Sequence, residues 1–246
     1  GTECKGYNEA KSKLNNIEKD VIKNLLNLGA HAKSLDGKER LRILHEYFNQ
    51  DTMEPFRFSF KDLAESGKSV KDYIAPPGFD FRYPNRFKSG NMYGCVSYLD
   101  IIAPKFTDEL IKQLLDIDAN LTISMHMQTE DPVKAIKKLK AVISNIQKMK
   151  IEEQKKAVRS GYDMDILPTD IVTYEKDTLE FLDDLNTSNQ KMINMTFLIT
   201  CYGRTKRELE SLMQRVSGII QQANCDLRCL QYLHEQGLMA SAPIGC

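Results

Sequence analysis

The feature that most constrains the fold is a strand–helix–strand pattern that occurs twice after residue 91. Apolar and polar residues alternate in NLTISMHMQTE and in KMINMTFLITCYG, as is typical of half-buried strands. Two further strands are predicted at MYGCVSYLDII and CDLRCLQYL, and helical spacing is found in FTDELIKQLLDI and after Thr205. The order predicts an α+β fold with a ferredoxin-like split βαβ core over about 91–232.

Three other regions complete the predicted organisation. Residues 1–50 have two runs of apolar residues at helical spacing and predict an N-terminal helical hairpin. Residues 51–90 are rich in proline and aromatic residues and predict an irregular connector that packs on the core. Helical spacing over 132–187 predicts a helical pair inserted between the two halves of the 91–246 region. The whole is predicted to form one compact unit.

Charge and cysteine content limit the class of protein. Lys plus Arg and Asp plus Glu number 34 each, so the chain lacks the basic excess of a dedicated nucleic-acid binder. The six cysteines are scattered through a chain with ample apolar residues, which indicates reduced cytosolic thiols and not a disulfide framework. No apolar run approaches the ~20 residues that span a bilayer.

Two motifs resemble nucleotide- or RNA-binding signatures without completing them. Gly67-Lys68-Ser69 matches the end of a P-loop, but Asp62 occupies the place of the first glycine, and we expect an exposed turn. NMYGCVSYLD matches part of an RNA-recognition signature, but Cys95 replaces a stacking aromatic residue. We expect a core strand here, with a glycine that admits close packing.

The sequence contains no complete catalytic or metal-binding set. Cys225, Cys229 and His234 have some of the spacing of a zinc site, but no second ligand pair follows. Cys225 and Cys229 are better interpreted as small core residues on one face of a strand. The histidines are isolated from any nucleophile with an orienting carboxylate. We therefore predict no catalytic, cofactor-binding or metal-binding residues.

A series of stretches carries a resemblance to a known family. These are LDGKERLRILHEYFN, ESGKSVKDYIAPPGFDF, MYGCVSYLDI, TLEFLDDLNTSNQKMINMTFLITCYGRTKREL and LHEQGLMASAPIG. Together they resemble the N-terminal region of conjugative-transfer ATPases, the CagE/TrbE/TraE (VirB) type motors of type IV secretion systems, as carried by Gram-positive conjugative elements. The resemblance covers about Ile17 to Gly245.

The resemblance implies a non-catalytic domain that docks and assembles a motor. It implies that the chain is truncated before a C-terminal ATPase domain, and that ATP and Mg belong only to that missing domain. The implied partners are membrane-embedded channel proteins and other motor subunits, with possible self-association. The implied location is cytoplasmic, peripheral at the inner face of the cell membrane. The alternative is a ferredoxin-like nucleic-acid-binding module of a transfer system.

Two surfaces are candidates for binding a partner. Aromatic residues among prolines can anchor an interface if they are exposed, and the candidates are Phe79, Phe81, Tyr83 and Phe87. The alternative is that they cover the local core. A basic cluster on the long inserted helix could contact an acidic partner or lipid surface, and its members include Lys134, Lys137 and Lys138. The alternative is an ordinary solvated helix face.

Overall fold

The computed structural model describes residues 4–51, 55–101, 108–161, 168–187 and 191–244. The chain divides into two compact units, whereas the sequence pattern predicts one. Unit 1 comprises Gly1–Thr122 and Ile199–Cys246, and unit 2 comprises Ile123–Leu198. Both boundaries fall inside strands, so two strands pass from one unit into the other.

Six strands form one sheet, and the α+β class is confirmed. They are β1 (Phe79–Asp80), β2 (Phe87–Ser89), β3 (Met92–Ile101), β4 (Leu121–Thr129), β5 (Ile193–Gly203) and β6 (Cys225–Cys229). The order is β1-β2-β3-β5-β4, and β6 also pairs with β3. β2 lies antiparallel to β3 at Met92–Gly94, and β6 lies antiparallel to it at Ser97–Ile101. β2 and β6 therefore share one edge of β3.

Seven of the helices belong to unit 1. They are α1 (Tyr7–Asn27), α2 (Gly37–Phe48), α3 (Phe60–Ser66), α4 (Lys71–Ile74), α5 (Asp108–Leu115), α8 (Lys206–Gln222) and α9 (His234–Ser241). The side chain of Asp36 accepts a hydrogen bond from the backbone of Glu39, whose side chain accepts one from the Asp36 backbone. This capping box, predicted from the sequence, fixes the start of α2.

The core of unit 1 is built around Phe87, whose ring contacts those of Phe81, Tyr202 and His234. Gly94 makes room for this ring, because a Cβ atom there would lie 2.3 Å from Phe87. The expectation that the glycine of MYGC admits close packing is confirmed. Tyr47 of α2 joins the same cluster and donates a hydrogen bond to the carbonyl oxygen of Leu238 at 3.0 Å.

The end of the described chain is helical, which corrects the sequence-based expectation. Gly237, Pro243 and Gly245 suggest a strand exit followed by a linker, but His234–Ser241 form α9, which packs against β3 and buries His234, Gly237 and Leu238. Gly245 lies outside the described residues. Gly237 is needed at this contact, because a Cβ atom there would lie 2.9 Å from Val96. The segment is therefore part of the core.

Unit 2 contains the inserted helical pair, α6 (Pro132–Arg159) and α7 (Thr169–Thr187). The two helices pack on each other, and Lys150 of α6 forms an ion pair with Glu175 of α7 at 2.8 Å. Pro132 occupies the first turn of α6, and Asp131 caps it by accepting from the backbone of Lys134. The two helices predicted within 132–187 are therefore present, and they lie between β4 and β5 in the chain.

Candidate functional site

The predicted docking aromatics divide between core and surface. Phe87 is fully buried, since Gly94 and Tyr202 enclose it, so its ring covers the core, as the alternative interpretation has it, and is not exposed to a partner. Phe81 is half-buried and stacks between Phe79 and Phe87. Phe79 is the exposed member of the row. A docking role for Phe79, Phe81 and Tyr83 stays a prediction.

The predicted lysine cluster lies on the first turns of α6. Lys138 forms an ion pair with Glu130 at 2.7 Å, and the same carboxylate accepts a hydrogen bond from the amide of Asn194. The charge of Lys138 is therefore largely compensated. Lys134 and Lys137 are exposed, as expected for either a partner surface or a solvated helix face.

The candidate P-loop residues form a helix end. Gly67 is the left-handed residue that terminates α3, with φ of 65°. Lys68 and Ser69 follow in an exposed turn, where Ser69 donates its backbone N–H to Asp72. A phosphate-binding loop leads from a buried strand into a helix, whereas this segment leaves a helix. The expectation of an exposed turn is confirmed.

Helix α1 presents an apolar face that the rest of the described chain leaves uncovered. Leu14, Ile17 and Val21 recur at helical spacing, and their exposed fractions are 54%, 50% and 50%. No residue of α1 is buried. A stripe of this kind normally faces a core or a partner.

A second feature of unit 1 is a surface where basic side chains lie against tyrosine rings. The guanidinium of Arg86 lies 4.5 Å from the centroid of Tyr83, and Lys206 lies about 6 Å from the rings of Tyr83 and Tyr93. Lys88 also lies over Tyr93, at 5.8 Å. We call these five residues the basic-aromatic surface.

A cleft of about 690 Å³ lies beside the start of α8, and Lys206 is the first residue of this helix. Its lining includes Arg204, Arg207 and Arg215, all exposed. Among the residues that the structure describes, none of these three arginines forms an ion pair with a carboxylate. The backbone N–H groups of the first turn of α8 add positive potential at the same place. The lining also includes Glu208, so three positive side chains face one negative side chain, and the cleft can accommodate an anionic group.

The third feature is a cluster of two thiols and an imidazole that joins three elements of unit 1. Cys95 of β3 and Cys229 of β6 lie on one face of the sheet, with their sulfur atoms 3.1 Å apart. A ring nitrogen of His234, at the start of α9, lies within 4.8 Å of both sulfurs. Cys95 and His234 are buried, whereas Cys229 is partly exposed.

Hydrogen bonding shifts the pKa values of the two thiols in opposite directions. The hydrogen bond with Cys95 lowers the pKa of Cys229, and His234 lowers it further, against the opposing effect of burial. The same hydrogen bond and burial raise the pKa of Cys95. Nδ1 of His234 accepts a hydrogen bond from the backbone N–H of Val96 at 3.3 Å. Nε2 is buried and has no hydrogen-bond partner among the described residues.

This cluster is the grouping that sequence reasoning missed. The sequence spacing groups Cys229 and His234 with Cys225, which instead is buried at the far end of β6. Cys95 joins them because the pairing of Ser97 with Cys229 sets the register of β3 against β6. A period of two along β3 then puts Cys95 and Ser97 on the same face. Only the register could have revealed the pair.

Within the described ranges, no helix is both long and apolar enough to cross a membrane. Comparison of the chain with models of known protein families and with curated proteins gives no match.

Proposed function

We propose that this chain is a non-catalytic docking and assembly domain of a conjugative-transfer motor ATPase of the type IV secretion class. The observation that carries the proposal is the exposed apolar face of α1, defined by Leu14, Ile17 and Val21. The resemblance over about Ile17 to Gly245 gives the narrower assignment to a transfer motor. In such a motor, the domain binds a membrane channel protein or a neighbouring motor subunit.

The charge pattern of α1 favours a protein as the occupant of this face. The helix has four lysines (Lys11, Lys13, Lys19 and Lys23) and three acidic residues (Glu9, Glu18 and Asp20). A helix that binds an anionic lipid surface is rich in Lys and Arg on its polar face, with few acidic residues. The nearly balanced charges of α1 fit the apolar groove of a protein partner better.

The finer fold assignment belongs to the same proposal. The order β6-β3-β5-β4 puts the first strand of each β-α-β unit in the middle of the four, with α5 and α8 as the connecting helices. This order supports a ferredoxin-like split βαβ core. Such a core supplies a rigid platform, and the segments around it differ between proteins and carry the specific contacts.

A pair of matched variants of α1 tests the docking role. Ile17→Glu with Val21→Glu adds two charges to the apolar face, and Ser12→Glu with Asn16→Glu adds the same two charges to the polar face. We expect the first pair to lower conjugative transfer from a donor cell by about 30-fold or more, since loss of interface anchors costs about 2 kcal/mol or more. The polar-face pair leaves transfer unchanged.

Two measurements accompany this test. Thermal unfolding of both variant proteins checks that the fold is intact, because exposed positions contribute little to stability. Hydrolysis of Mg-ATP by the purified chain is expected to be absent. Saturable hydrolysis, or full transfer with the Ile17 and Val21 variant, contradicts the proposal.

A second candidate function, a nucleic-acid-binding module, is favoured by the basic-aromatic surface and the adjacent arginine cleft. Single-stranded DNA binds where cations track the phosphates and aromatic rings stack on bases. Lys206 contacts both tyrosine rings, and Arg207 lines the cleft, so one short segment joins the two features. The zero net charge of the chain weighs against this function.

Fluorescence anisotropy with labelled single-stranded DNA tests it. Lys206→Ala with Arg207→Ala is expected to weaken binding at low salt and to reduce the slope of log K against log[salt] by about 0.7 for each lost phosphate contact. The control, Lys19→Ala with Lys23→Ala, removes the same charge from α1. Equal effects of the two pairs would show that the DNA binding is a non-specific effect of positive charge and not a property of this surface.

A further inference from the structure

The pair of thiols in unit 1 has the features of a reactive site. Cys95 and Cys229 come from different strands, yet their sulfur atoms lie 3.1 Å apart. A disulfide needs about 2.05 Å between the sulfurs, so closure requires an approach of only about 1 Å. The buried imidazole of His234 completes the group. The docking role does not use any of the three side chains.

We propose that Cys95 and Cys229 are a redox-active dithiol, in which Cys229 reacts with a hydroperoxide and Cys95 then closes a reversible disulfide.

The exposure of the two sulfur atoms and the position of the thiolate charge decide which cysteine attacks the peroxide and which one closes the disulfide. Cys229 is partly exposed, so a small oxidant reaches its sulfur from solvent, whereas Cys95 is fully buried beneath it. The thiolate is the reacting form of a cysteine, and a partner that donates a hydrogen bond to the sulfur favours this form. The neighbouring Cys95 thiol stabilises negative charge on Cys229 and stays protonated itself. Cys229 is therefore the attacking group and Cys95 the resolving group.

The chemistry balances with a hydroperoxide as the oxidant. The Cys229 thiolate attacks one peroxide oxygen and the O–O bond breaks, which gives a sulfenic acid and a hydroxide or alkoxide ion. This ion takes up the proton that the Cys229 thiol released to the solvent when it ionised. The Cys95 sulfur then attacks the sulfenic sulfur, and the S–O bond breaks. The thiol proton of Cys95 leaves with the departing hydroxyl group as water, and the disulfide forms. A dithiol reductant reverses the change by thiol–disulfide exchange.

The hydrogen bonding of His234 favours this chemistry over metal binding. A histidine that ligates a metal through one nitrogen normally donates a hydrogen bond from the other. Here Nδ1 faces the backbone N–H of Val96 and accepts from it, so a neutral ring carries its proton on Nε2. This buried Nε2–H group is available to donate to a sulfur anion. It is not available to bind a cation.

The test uses the reduced protein in a Cys246→Ser background, because trypsin leaves residue 246 on the peptide that begins at Cys229. Trypsin cleaves after Lys88 and after Arg228, so Cys95, Cys229 and Cys225 fall on three separate peptides. After brief treatment with hydrogen peroxide, we expect a disulfide between the peptides of Cys95 and Cys229, reversed by dithiothreitol. Cys4 and Cys225 stay reduced as controls within the same molecule.

Two variants separate the steps. Cys95→Ala is expected to accumulate a sulfenic acid at Cys229, trapped by dimedone, because the resolving thiol is gone. Cys229→Ala is expected to leave Cys95 reduced, because the attacking thiol is gone. His234→Gln tests the histidine as a positioning residue, and its readout is a shift of the pH midpoint of Cys229 alkylation upward toward about 8.5.

Three results overturn the proposal. One is oxidation of Cys229 no faster than that of Cys4 in the folded protein. Another is a disulfide from Cys229 to a cysteine other than Cys95. The third is a stoichiometric transition metal in the purified protein that Cys95→Ala releases, which would make the cluster a metal site. The first two results are measured on the protein with the cluster intact, and the third needs only the Cys95→Ala variant in addition.

Discussion

Helices α1 and α8 have the same kind of apolar stripe but opposite surroundings. In α8, Leu209, Leu212 and Val216 are no more than 3% exposed, because the helix packs against β6 and α5. In α1, the stripe of Leu14, Ile17 and Val21 is about half exposed. The comparison teaches that helical periodicity reveals a face that requires cover, but not what covers it.

The largest expected effect is a truncation in the stripe of α8. Leu212→Ala removes a side chain that is 3% exposed and leaves a cavity between α8 and its neighbours, so we expect a loss of about 2–5 kcal/mol in the free energy of unfolding. Urea unfolding followed by circular dichroism measures it. A loss below about 1 kcal/mol would mean that α8 is not held by core packing, and the contrast with α1 would disappear.

A smaller effect is expected at the N-terminus of α8, where the two helices also differ. The hydroxyl of Thr205 accepts a hydrogen bond from the backbone N–H of Glu208 at 3.2 Å, whereas Gly6 gives α1 no side-chain cap. Thr205→Ala should therefore lower the free energy of unfolding by about 1 kcal/mol. Thr205→Ser keeps the accepting hydroxyl and serves as the matched control, with little change expected. Equal losses in the two variants would exclude the cap as the cause.

The smallest expected effect is a truncation in the stripe of α1. Ile17→Ala removes a side chain that is half exposed, so the isolated chain should change by less than about 0.5 kcal/mol. The same urea unfolding curve reports it. A loss as large as that of Leu212→Ala would show that α1 is covered in solution, by a second copy of the chain if the loss depends on protein concentration.

Local patterns predicted much of the fold because they depend on residues close together in the chain. The capping box of Asp36 with Glu39 and the alternation in β4 and β5 need no distant partner. The sequence pattern does not predict the C-terminal helix, because Gly237, Pro243 and Gly245 are typical of loops and turns. Here Gly237 is required by the approach of Val96, which is distant in the sequence. The burial of Phe87 likewise depends on Tyr202, which is distant in the sequence.

The thiol cluster could not be predicted for a related reason. Cys95 and Cys229 meet only through the register between β3 and β6, and no local spacing encodes that register. His234 reaches them because α9 folds back onto β3, the element that the sequence pattern presented as a linker. Groupings of side chains from distant parts of the sequence become visible only when the topology is known.

The shared edge of β3 has a consequence for the order of folding. β2 covers the start of this edge soon after synthesis, but the rest waits for β6, which pairs residue 97 with residue 229. Pairing across such a sequence separation is slow, and an unpaired strand edge recruits other chains in the meantime. A nascent chain that has not yet reached Cys225 therefore leaves this part of the edge open to pairing with other chains. Chaperone demand should peak there and fall once the last strand has joined the sheet.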